Sequence, residues 1–308
     1  MHHTGLRSVA RTLTPALMHY LSSLCALALL PGCLPSPVIS WPDLPPSEGL
    51  DKARIADART ARAALLADPG DEQKMIWYGR RLGYLGFYTA AIEVYSLGLT
   101  VHPGSPKLLR HRGHRRISMR AFDAAVTDFE DAVKVMAGSP DEVEPDGMPN
   151  ARNTPTSTLH TNIWYHLGLA HYCRGEFSTA LRCYESCLEA AKNPDMEVAA
   201  RYWKFLAATR CGDRSAANAA YTGVEANWDI IENHAYHRLL LLFRGDLKIA
   251  EFGQISGDEI KNLTAAYGLA RYQFIQGNGS AGTAALKRIA AKKSAAFGCI
   301  AAEADLTR

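Results

Sequence analysis

Residues 164–184 of the chain are WYHLGLAHYCRGEFSTALRCY, and this stretch decides the fold. A glycine divides it into two segments, each with large apolar residues three or four positions apart, the spacing that aligns side chains on one helix face. Small residues beside the large ones let two helix backbones approach closely, and the central glycine suits a tight turn. The stretch therefore predicts a helical hairpin. Its pattern residues are Trp164, Leu167, Gly168, Gly175, Phe177, Ala180 and Tyr184.

The same pattern recurs along the chain at fixed offsets. Gly79 and Tyr95 in one copy become Gly113 and Phe129 in the next, 34 residues later. A further shift of 55 residues leads from Gly113 to Gly168, and one insertion of 21 residues explains the longer interval. A shift of 37 residues then reaches a fourth copy. Anchor residues that move together by one offset indicate internal repeats, which are typical of helical solenoids.

The pattern resembles the tetratricopeptide repeat (TPR), in which helix A carries a bulky residue, Leu and Gly or Ala, and helix B carries Ala and an aromatic residue. The resemblance implies an all-α, TPR-like right-handed α-solenoid of helical hairpins. Two units depart from the pattern, because Arg112 and Arg116 stand where Leu and Tyr are usual and Phe205 takes the glycine position. The solenoid is assigned to 72–308, with units at 72–105, 106–139, 161–197 and 198–232, weaker helical pairs at 234–252 and 263–293, and an N-terminal capping helix within 51–71.

The first 50 residues resemble an export and anchoring segment. Residues 1–32 combine two arginines with the short apolar run LSSLCALALL, the layout of a signal peptide. They lead into the sequence Leu-Pro-Gly-Cys ending at Cys33, which resembles the bacterial lipobox, although Pro31 is unusual in that motif. The resemblance implies that Cys33 carries a palmitate-type lipid anchor, that the proline-rich residues 33–50 form a tether, and that the protein lies at the outer membrane facing the periplasm. The alternative is a secreted or soluble periplasmic protein.

In the TPR family, inward-facing positions of each helix A form a concave groove. Carried onto this sequence, one half of the groove is basic and the other is aromatic. Arg binds carboxylates bidentately and Tyr offers a flat apolar face with a polar tip, so the expected partner is a protein or peptide with acidic residues or a free C-terminal carboxylate. The alternative is a solvated basic helix face without a dedicated ligand. The groove residues are Arg80, Lys107, Arg110, His114, Asn162, Tyr165, Tyr172 and Tyr202.

The insertion between the second and third units, about 140–160, contains four acidic side chains followed by Pro149 and Pro155, and it has no apolar periodicity. This composition predicts a mobile surface loop. Because the loop is acidic and the neighbouring groove is basic, an alternative is that the loop occupies the groove as a self-ligand.

Charge and motifs bound the class of function. The net charge is +3 over 308 residues, which gives no whole-molecule signal for nucleic acid. C-x-x-C, HExxH, P-loop and GxSxG patterns are absent from the sequence, so we expect no catalytic residue, metal or cofactor. Five of the seven cysteines lie beyond Cys33 and are interpreted as packing residues, with a Cys173–Cys211 disulfide as the alternative.

The sequence thus predicts a non-enzymatic protein- or peptide-binding adaptor or scaffold, tethered to the bacterial cell envelope, that holds its partner in the concave groove. One alternative is a structural subunit of an envelope complex, or a homo-oligomer, assembled through the convex face. A second alternative is an enzyme or ligand-binding protein with a pocket inside the superhelix. The fold by itself does not choose among these functions.

Overall fold

The computed structural model describes residues 40–252 and 259–308. Several of its helices begin at a residue whose side chain caps the first turn. The side chains of Asp51 and Asp71 accept hydrogen bonds from first-turn N–H groups. Ser105 and Asn193 do the same, each before a proline at the first helical position. The α-helices in this part of the chain are α1 Lys52–Ala67, α2 Glu72–Tyr84, α3 Tyr88–Val101, α4 Pro106–Ser118, α5 Phe122–Met136, α6 Leu159–Arg174, α7 Phe177–Ala190, α8 Pro194–Cys211, α9 Arg214–Tyr221, α10 His234–Arg244, α11 Glu259–Ile275, α12 Gly279–Ala290 and α13 Phe297–Leu306.

Neighbouring helices pair into hairpins that stack in chain order. Helix α2 pairs with α3, α4 with α5, α6 with α7, α8 with α9, and α11 with α12. Successive hairpins touch where α3 meets α4, α5 meets α6 and α7 meets α8, and α1 packs on α2. Each hairpin covers the apolar side that its neighbour would otherwise expose to water. The predicted all-α, TPR-like solenoid of helical hairpins is confirmed.

The repeated glycines sit where two helices of one hairpin cross. A Cβ atom added to Gly113 would lie 2.8 Å from ring carbons of Phe129, and one added to Gly168 would lie 2.8 Å from the ring of Tyr184. Gly79 faces Tyr95 even more closely. The three aromatic rings are almost fully buried. The glycine of helix A therefore makes room for the aromatic ring of helix B, as the sequence pattern predicts.

The turns within the hairpins use left-handed backbone. Gly86, Gly175 and Gly212 have φ values of +84°, +84° and +80°, a region that glycine enters without steric strain. In the second hairpin the equivalent position holds Arg120, with φ of +63°. A side chain in this region costs about 1 kcal/mol or more, and such strain persists only where other contacts hold the residue. Those contacts involve the C-terminal helix.

The second half of the stack departs from the predicted unit boundaries. Helix α6 begins at Leu159 rather than 161, because Thr158 and Thr161 form a reciprocal capping box. Helix α8 begins at Pro194 rather than 198. After α10, the residues described up to 252 form only a 3₁₀ turn at Ile249–Glu251 in place of the predicted second helix.

The last helix, α13, is an element that the repeat pattern does not predict. It packs on α11 and α12 and also on α6, so it returns to the middle of the stack. Its small and apolar residues are buried, including Cys299, Ile300 and Ala301. Gly298 lies against the backbone of Leu263, where a Cβ atom would meet main-chain atoms. The chain end therefore belongs to the core.

Residues 41–43 lie against the first helices. Trp41 is buried, and the carbonyl oxygen of Pro42 accepts hydrogen bonds from Tyr78 Oη (2.9 Å) and Arg62 Nε (3.2 Å). This end of the predicted tether is thus packed rather than free. The predicted signal peptide, 1–32, and Cys33 lie outside the described residues. Within the described part, no helix is long and apolar enough to span a bilayer.

Candidate peptide-binding groove

The eight predicted groove residues lie on α2, α4, α6 and α8, the first helices of four hairpins. The structure gathers them into two groups, and both are covered by other parts of the chain. An open groove along all four hairpins is therefore not what the structure contains. The basic group is Arg80, Lys107, Arg110 and Asn162, and the aromatic group is His114, Tyr165, Tyr172 and Tyr202.

The basic group is covered by residues 141–147, DEVEPDG, which we call the acidic segment. Lys107 Nζ lies 2.9 Å from a carboxylate oxygen of Glu142, and Arg110 Nη2 lies 2.9 Å from one of Glu144. The side chains of Arg110 and Glu144 are each only 11% exposed, so this ion pair is largely shielded from solvent. Asn162 Nδ2 donates to the same Glu144 carboxylate. This arrangement matches the alternative in which the acidic insertion occupies the groove as a self-ligand, and not the prediction of a mobile loop.

The groove also binds the main chain of the acidic segment. Arg80 Nη1 donates to the carbonyl oxygen of Pro145 (2.8 Å), and Arg81 Nη1 donates to that of Gly147 (3.2 Å). Gly147 packs so tightly on Tyr84 Oη and Arg80 that a Cβ atom would not fit. Contacts to carbonyl groups do not depend on side-chain identity, whereas the carboxylate contacts do. The surface therefore contacts both the backbone and the carboxylates of this segment of its own chain.

The acidic segment is paired with the chain that leads into α6. The N–H of Glu144 donates to the carbonyl of Ser157 (3.2 Å), and the N–H of Leu159 donates to that of Glu142 (2.8 Å). Val143 and Thr158 form an isolated antiparallel bridge. Two backbone hydrogen bonds thus hold the segment in an extended conformation, and the segment has no apolar core of its own.

A cavity remains between the acidic segment and the helices beneath it. Its volume is about 240 Å³, and its walls include Gln73, Ile76 and His111 besides the basic residues. Val143 also lines the cavity and is 62% exposed. Arg110 Nε is buried without a hydrogen-bond partner. The acidic segment therefore fills the basic groove incompletely.

The aromatic group is sealed in the core. Tyr165 Oη shares hydrogen bonds with Tyr236 Oη (2.9 Å) and Trp203 Nε1 (2.8 Å). Tyr172 Oη is 2.8 Å from Tyr267 Oη, and burial raises the pKa of Tyr172 to about 12. Tyr202 is also fully buried. These tyrosines pack helices together and offer no free face to a partner, because α10, α11 and α13 cover them.

Helix α13 enters this half with an aromatic ring and two carboxylates. The Phe297 ring centroid lies 5.5 Å from those of His114 and His166. Arg120 holds Glu303 through two hydrogen bonds of 2.7 and 2.8 Å. The strained Arg120 backbone therefore serves a contact to the chain end that glycine would not make.

Asp305 is the most enclosed acid of α13, with its side chain 3% exposed. Arg210 and Arg308 contact one carboxylate oxygen, while Arg271 and the Tyr267 hydroxyl contact the other. Burial would raise the pKa of Asp305, but the guanidinium groups of Arg210 and Arg271 outweigh it and hold that pKa below its ordinary value. Arginine side chains from other helices thus hold both Glu303 and Asp305, which sequence reasoning did not foresee.

Histidines between the two groups are neutral at physiological pH. Burial lowers the pKa of His166 to about 3, with the nearby charge of Arg110 adding to the effect. Burial likewise holds the pKa of His111 and of His114 well below the usual value. A neutral ring at His111, with Nε2 3.7 Å from Glu144, leaves Arg110 as the main positive charge on that carboxylate.

The side chains of the described residues do not form a metal-binding cluster, since no three His, Cys, Asp or Glu side chains come together there. Cys173, Cys183, Cys187, Cys211 and Cys299 are free thiols, so the Cys173–Cys211 disulfide is not formed. Burial raises the pKa of Cys183 to about 12 and also raises the pKa of Cys187, so both are protonated packing residues at neutral pH. The polar chemistry of this site is the binding of carboxylates and carbonyl oxygens.

Sequence reasoning missed Arg81, His111 and Arg120 as members of these sites. Arg81 follows Arg80 directly, and adjacent residues point to different sides of a helix. Helix spacing alone therefore could not predict that both side chains contact the acidic segment. Arg120 had a usable signal, because it stands 34 residues after Gly86 at a turn that favours glycine. A large charged residue at such a position indicates a special contact.

Comparison with known proteins gives likeness to solved helical structures only. Neither a protein-family model nor a curated protein matches the sequence. The chain is similar to the structure described as "Crystal structure of MamA", at 19% identity over 53% of this chain and 81% of that one, with a TM-score of 0.41. It is also similar to "Crystal structure of YrrB: a TPR protein with an unusual peptide-binding site", at 14% identity over 81% and 99% of the two chains, with a TM-score of 0.42.

Proposed function

We propose that this protein is a non-enzymatic adaptor that captures an extended acidic segment of a partner protein in the basic half of its groove. The observation that carries the proposal is the acidic segment itself, which occupies this half through two carboxylates and two carbonyl oxygens. A surface that binds such a segment from its own chain has the chemistry to bind one from another protein.

The energetics favour recognition of carboxylates at this position. An ion pair between half-exposed groups, such as Lys107 and Glu142, contributes about 0–1 kcal/mol. Arg110 is more enclosed, and removing one partner from an enclosed, hydrogen-bonded pair costs more because the other charge stays desolvated. Arg110 is therefore the residue on which partner binding should depend most.

A capture experiment tests the adaptor proposal. Tagged wild-type protein and the Arg110→Glu variant are incubated with detergent-solubilised envelope extract, and the retained proteins are compared. The matched control is Arg182→Glu, which makes the same charge change at an exposed position on α7. We expect proteins that are retained by wild type and by the control and lost with Arg110→Glu. Identical sets from all three baits would rule out the groove as the binding site.

We place the adaptor at the bacterial envelope, anchored through a lipid on Cys33. This part of the proposal is supported by the sequence alone, through the signal-like residues 1–32 and the lipobox resemblance around Cys33. Metabolic labelling with a palmitate analogue tests it. We expect label on the wild type and none on Cys33→Ala; an unlabelled wild type, or label that survives the substitution, would remove the anchor from the proposal.

A further inference from the structure

We infer that the acidic segment is a displaceable self-ligand, and that the partner's segment carries two carboxylates two residues apart and takes the place of Glu142 and Glu144. This inference rests on the proposed function and specifies both the chemistry of the partner and the regulation of the same site. In the closed state the protein occupies its own groove, and partner binding begins with release of residues 141–147.

The contacts of the acidic segment are polar and weakly buried. Val143 is 62% exposed and Pro145 is also exposed, so the segment places little apolar surface against the helices. Lys107 and Glu142 are 28% and 46% exposed at their side chains. Only the Arg110–Glu144 pair is enclosed. Since apolar burial is the dominant stabilising contribution in protein cores, a segment held in this way is released at far lower cost than a packed helix.

The C-terminal helix provides the contrast within the same chain. Helix α13 also covers part of the predicted groove, its aromatic half, but it buries Cys299, Ile300 and Ala301 completely. Releasing it would expose this apolar surface together with the tyrosines beneath it. Helix α13 is therefore part of the folded core, whereas the acidic segment lies on the groove through polar contacts, as a bound ligand would.

Release of the acidic segment leaves the repeat stack intact. The segment belongs to the connection between α5, which ends at Met136, and α6, which begins at Leu159. Helices α5 and α6 pack directly on each other without it. The connection is long enough to move away while both of its ends stay fixed, because its length is not needed to bridge the two helices.

The cavity of about 240 Å³ explains how a partner can outcompete an occupant that is covalently attached. An intramolecular ligand has the advantage of a high effective concentration, so a partner needs additional contacts to displace it. The cavity is bounded by Ile76 and Gln73 on α2 and by His111 on α4. A partner segment that directs a side chain into this space gains contacts that the acidic segment does not make.

A peptide-binding assay tests the inference. The probe is a fluorescein-labelled peptide with the sequence of residues 139–148, SPDEVEPDGM, and binding is followed by fluorescence anisotropy. The opened variant is Glu142→Gln/Glu144→Gln. The apparent affinity for the probe is the intrinsic affinity multiplied by the fraction of protein whose groove is open. We therefore expect the opened variant to bind the probe at least about tenfold more tightly than wild type.

Two control variants define the site. Glu130→Gln/Glu189→Gln removes the same charge at exposed positions on α5 and α7 and should leave the Kd at the wild-type value. Adding Lys107→Glu and Arg110→Glu to the opened variant should abolish binding. Equal Kd values for wild type and opened variant would overturn the inference, as would binding that survives reversal of Lys107 and Arg110.

Amide hydrogen exchange separates displacement from binding elsewhere. In the closed state the N–H groups of Glu144 and Leu159 are hydrogen-bonded within the insertion. Saturating the wild type with probe peptide should accelerate exchange in 141–159, whereas binding without displacement would slow it or leave it unchanged and overturn the inference. If partner capture depends on Arg110 but the opened variant shows no gain, the adaptor proposal stands and the self-ligand inference fails. If capture is also independent of Arg110, both fail.

Discussion

At the scale of single residues, the contact that repeats is between a glycine of one helix and an aromatic ring of the next. Gly79, Gly113 and Gly168 each face such a ring in the same hairpin. The glycine has a packing role here, since the backbone around Gly113 is ordinary helix. The left-handed turns that follow need glycine for a different reason, which is backbone conformation. In the first and third units, glycine thus serves two separate physical requirements.

The packing role of Gly113 is open to direct measurement. An alanine Cβ at this position would meet the Phe129 ring at 2.8 Å, so the ring or the helix must shift. We expect Gly113→Ala to lower the free energy of unfolding by about 1–3 kcal/mol, the usual effect of overpacking. Urea unfolding measures the change. Gly70→Ala is the control, because a Cβ there has no neighbour within 4 Å, and equal stability of the two variants would contradict the packing argument.

Arg120 combines an unfavourable backbone conformation with a bidentate contact to Glu303. We expect Arg120→Gly and Glu303→Gln to be non-additive, with a coupling free energy of about 1 kcal/mol, as is common for residues in direct contact. A double-mutant cycle by thermal or urea unfolding gives this value. Additive effects would show that the arginine tolerates its left-handed φ for some reason other than the chain end.

The pH dependence of stability has a defined sign at His166. Burial lowers its folded-state pKa to about 3, whereas the unfolded chain titrates near 6.5. Between these values the unfolded chain binds a proton that the folded chain excludes, so the free energy of unfolding decreases as the pH falls below about 6.5. The loss is about 1.4 kcal/mol per pH unit for one such group.

We therefore expect His166→Gln to flatten the dependence of stability on pH by about that slope between roughly pH 5 and 6. The measurement is urea unfolding at several pH values. His234→Gln, at an exposed position, should keep the wild-type slope. A slope in His166→Gln that equals that of the wild type would mean that His166 is protonated in the folded protein.

At the scale of elements, α13 and the acidic segment fill parts of one surface by different means. Helix α13 buries apolar atoms, and its two acidic side chains form hydrogen bonds with Arg120 and Arg210. The acidic segment offers carboxylates and carbonyls to the helix surface, and its apolar side chains Val143 and Pro145 stay exposed. The first covering stabilises the fold and the second is available for exchange.

The structural role of α13 predicts a difference between its two faces. Ile300 is fully buried, so we expect Ile300→Ala to lower the free energy of unfolding by about 2–5 kcal/mol through loss of burial and a residual cavity. Leu306, on the same helix, is 37% exposed, and Leu306→Ala should change stability by less than about 0.5 kcal/mol. Thermal unfolding distinguishes the two. Equal, small effects would place α13 outside the cooperative core.

At the scale of the whole described unit, the stack of hairpins is continuous from α1 to α9, and the chain end returns to α6. This return closes the aromatic half of the groove and leaves the basic half under the acidic segment. The predicted set of eight groove residues is therefore divided: Arg80, Lys107, Arg110 and Asn162 meet a peptide-like ligand, and the other four pack inside the protein. Whether a partner binds the first four stays a prediction, which the peptide assay tests.

The sequence by itself determined the hairpins and the register between their two helices. Those features depend on contacts between residues close along the chain, such as Gly113 with Phe129, and local spacing encodes them directly. Only the tertiary structure decided what covers the groove. The contact of Arg80 with Pro145 and that of Tyr172 with Tyr267 join residues 65 and 95 positions apart. No periodic pattern specifies such pairs, because they form only after the stack has brought distant segments together.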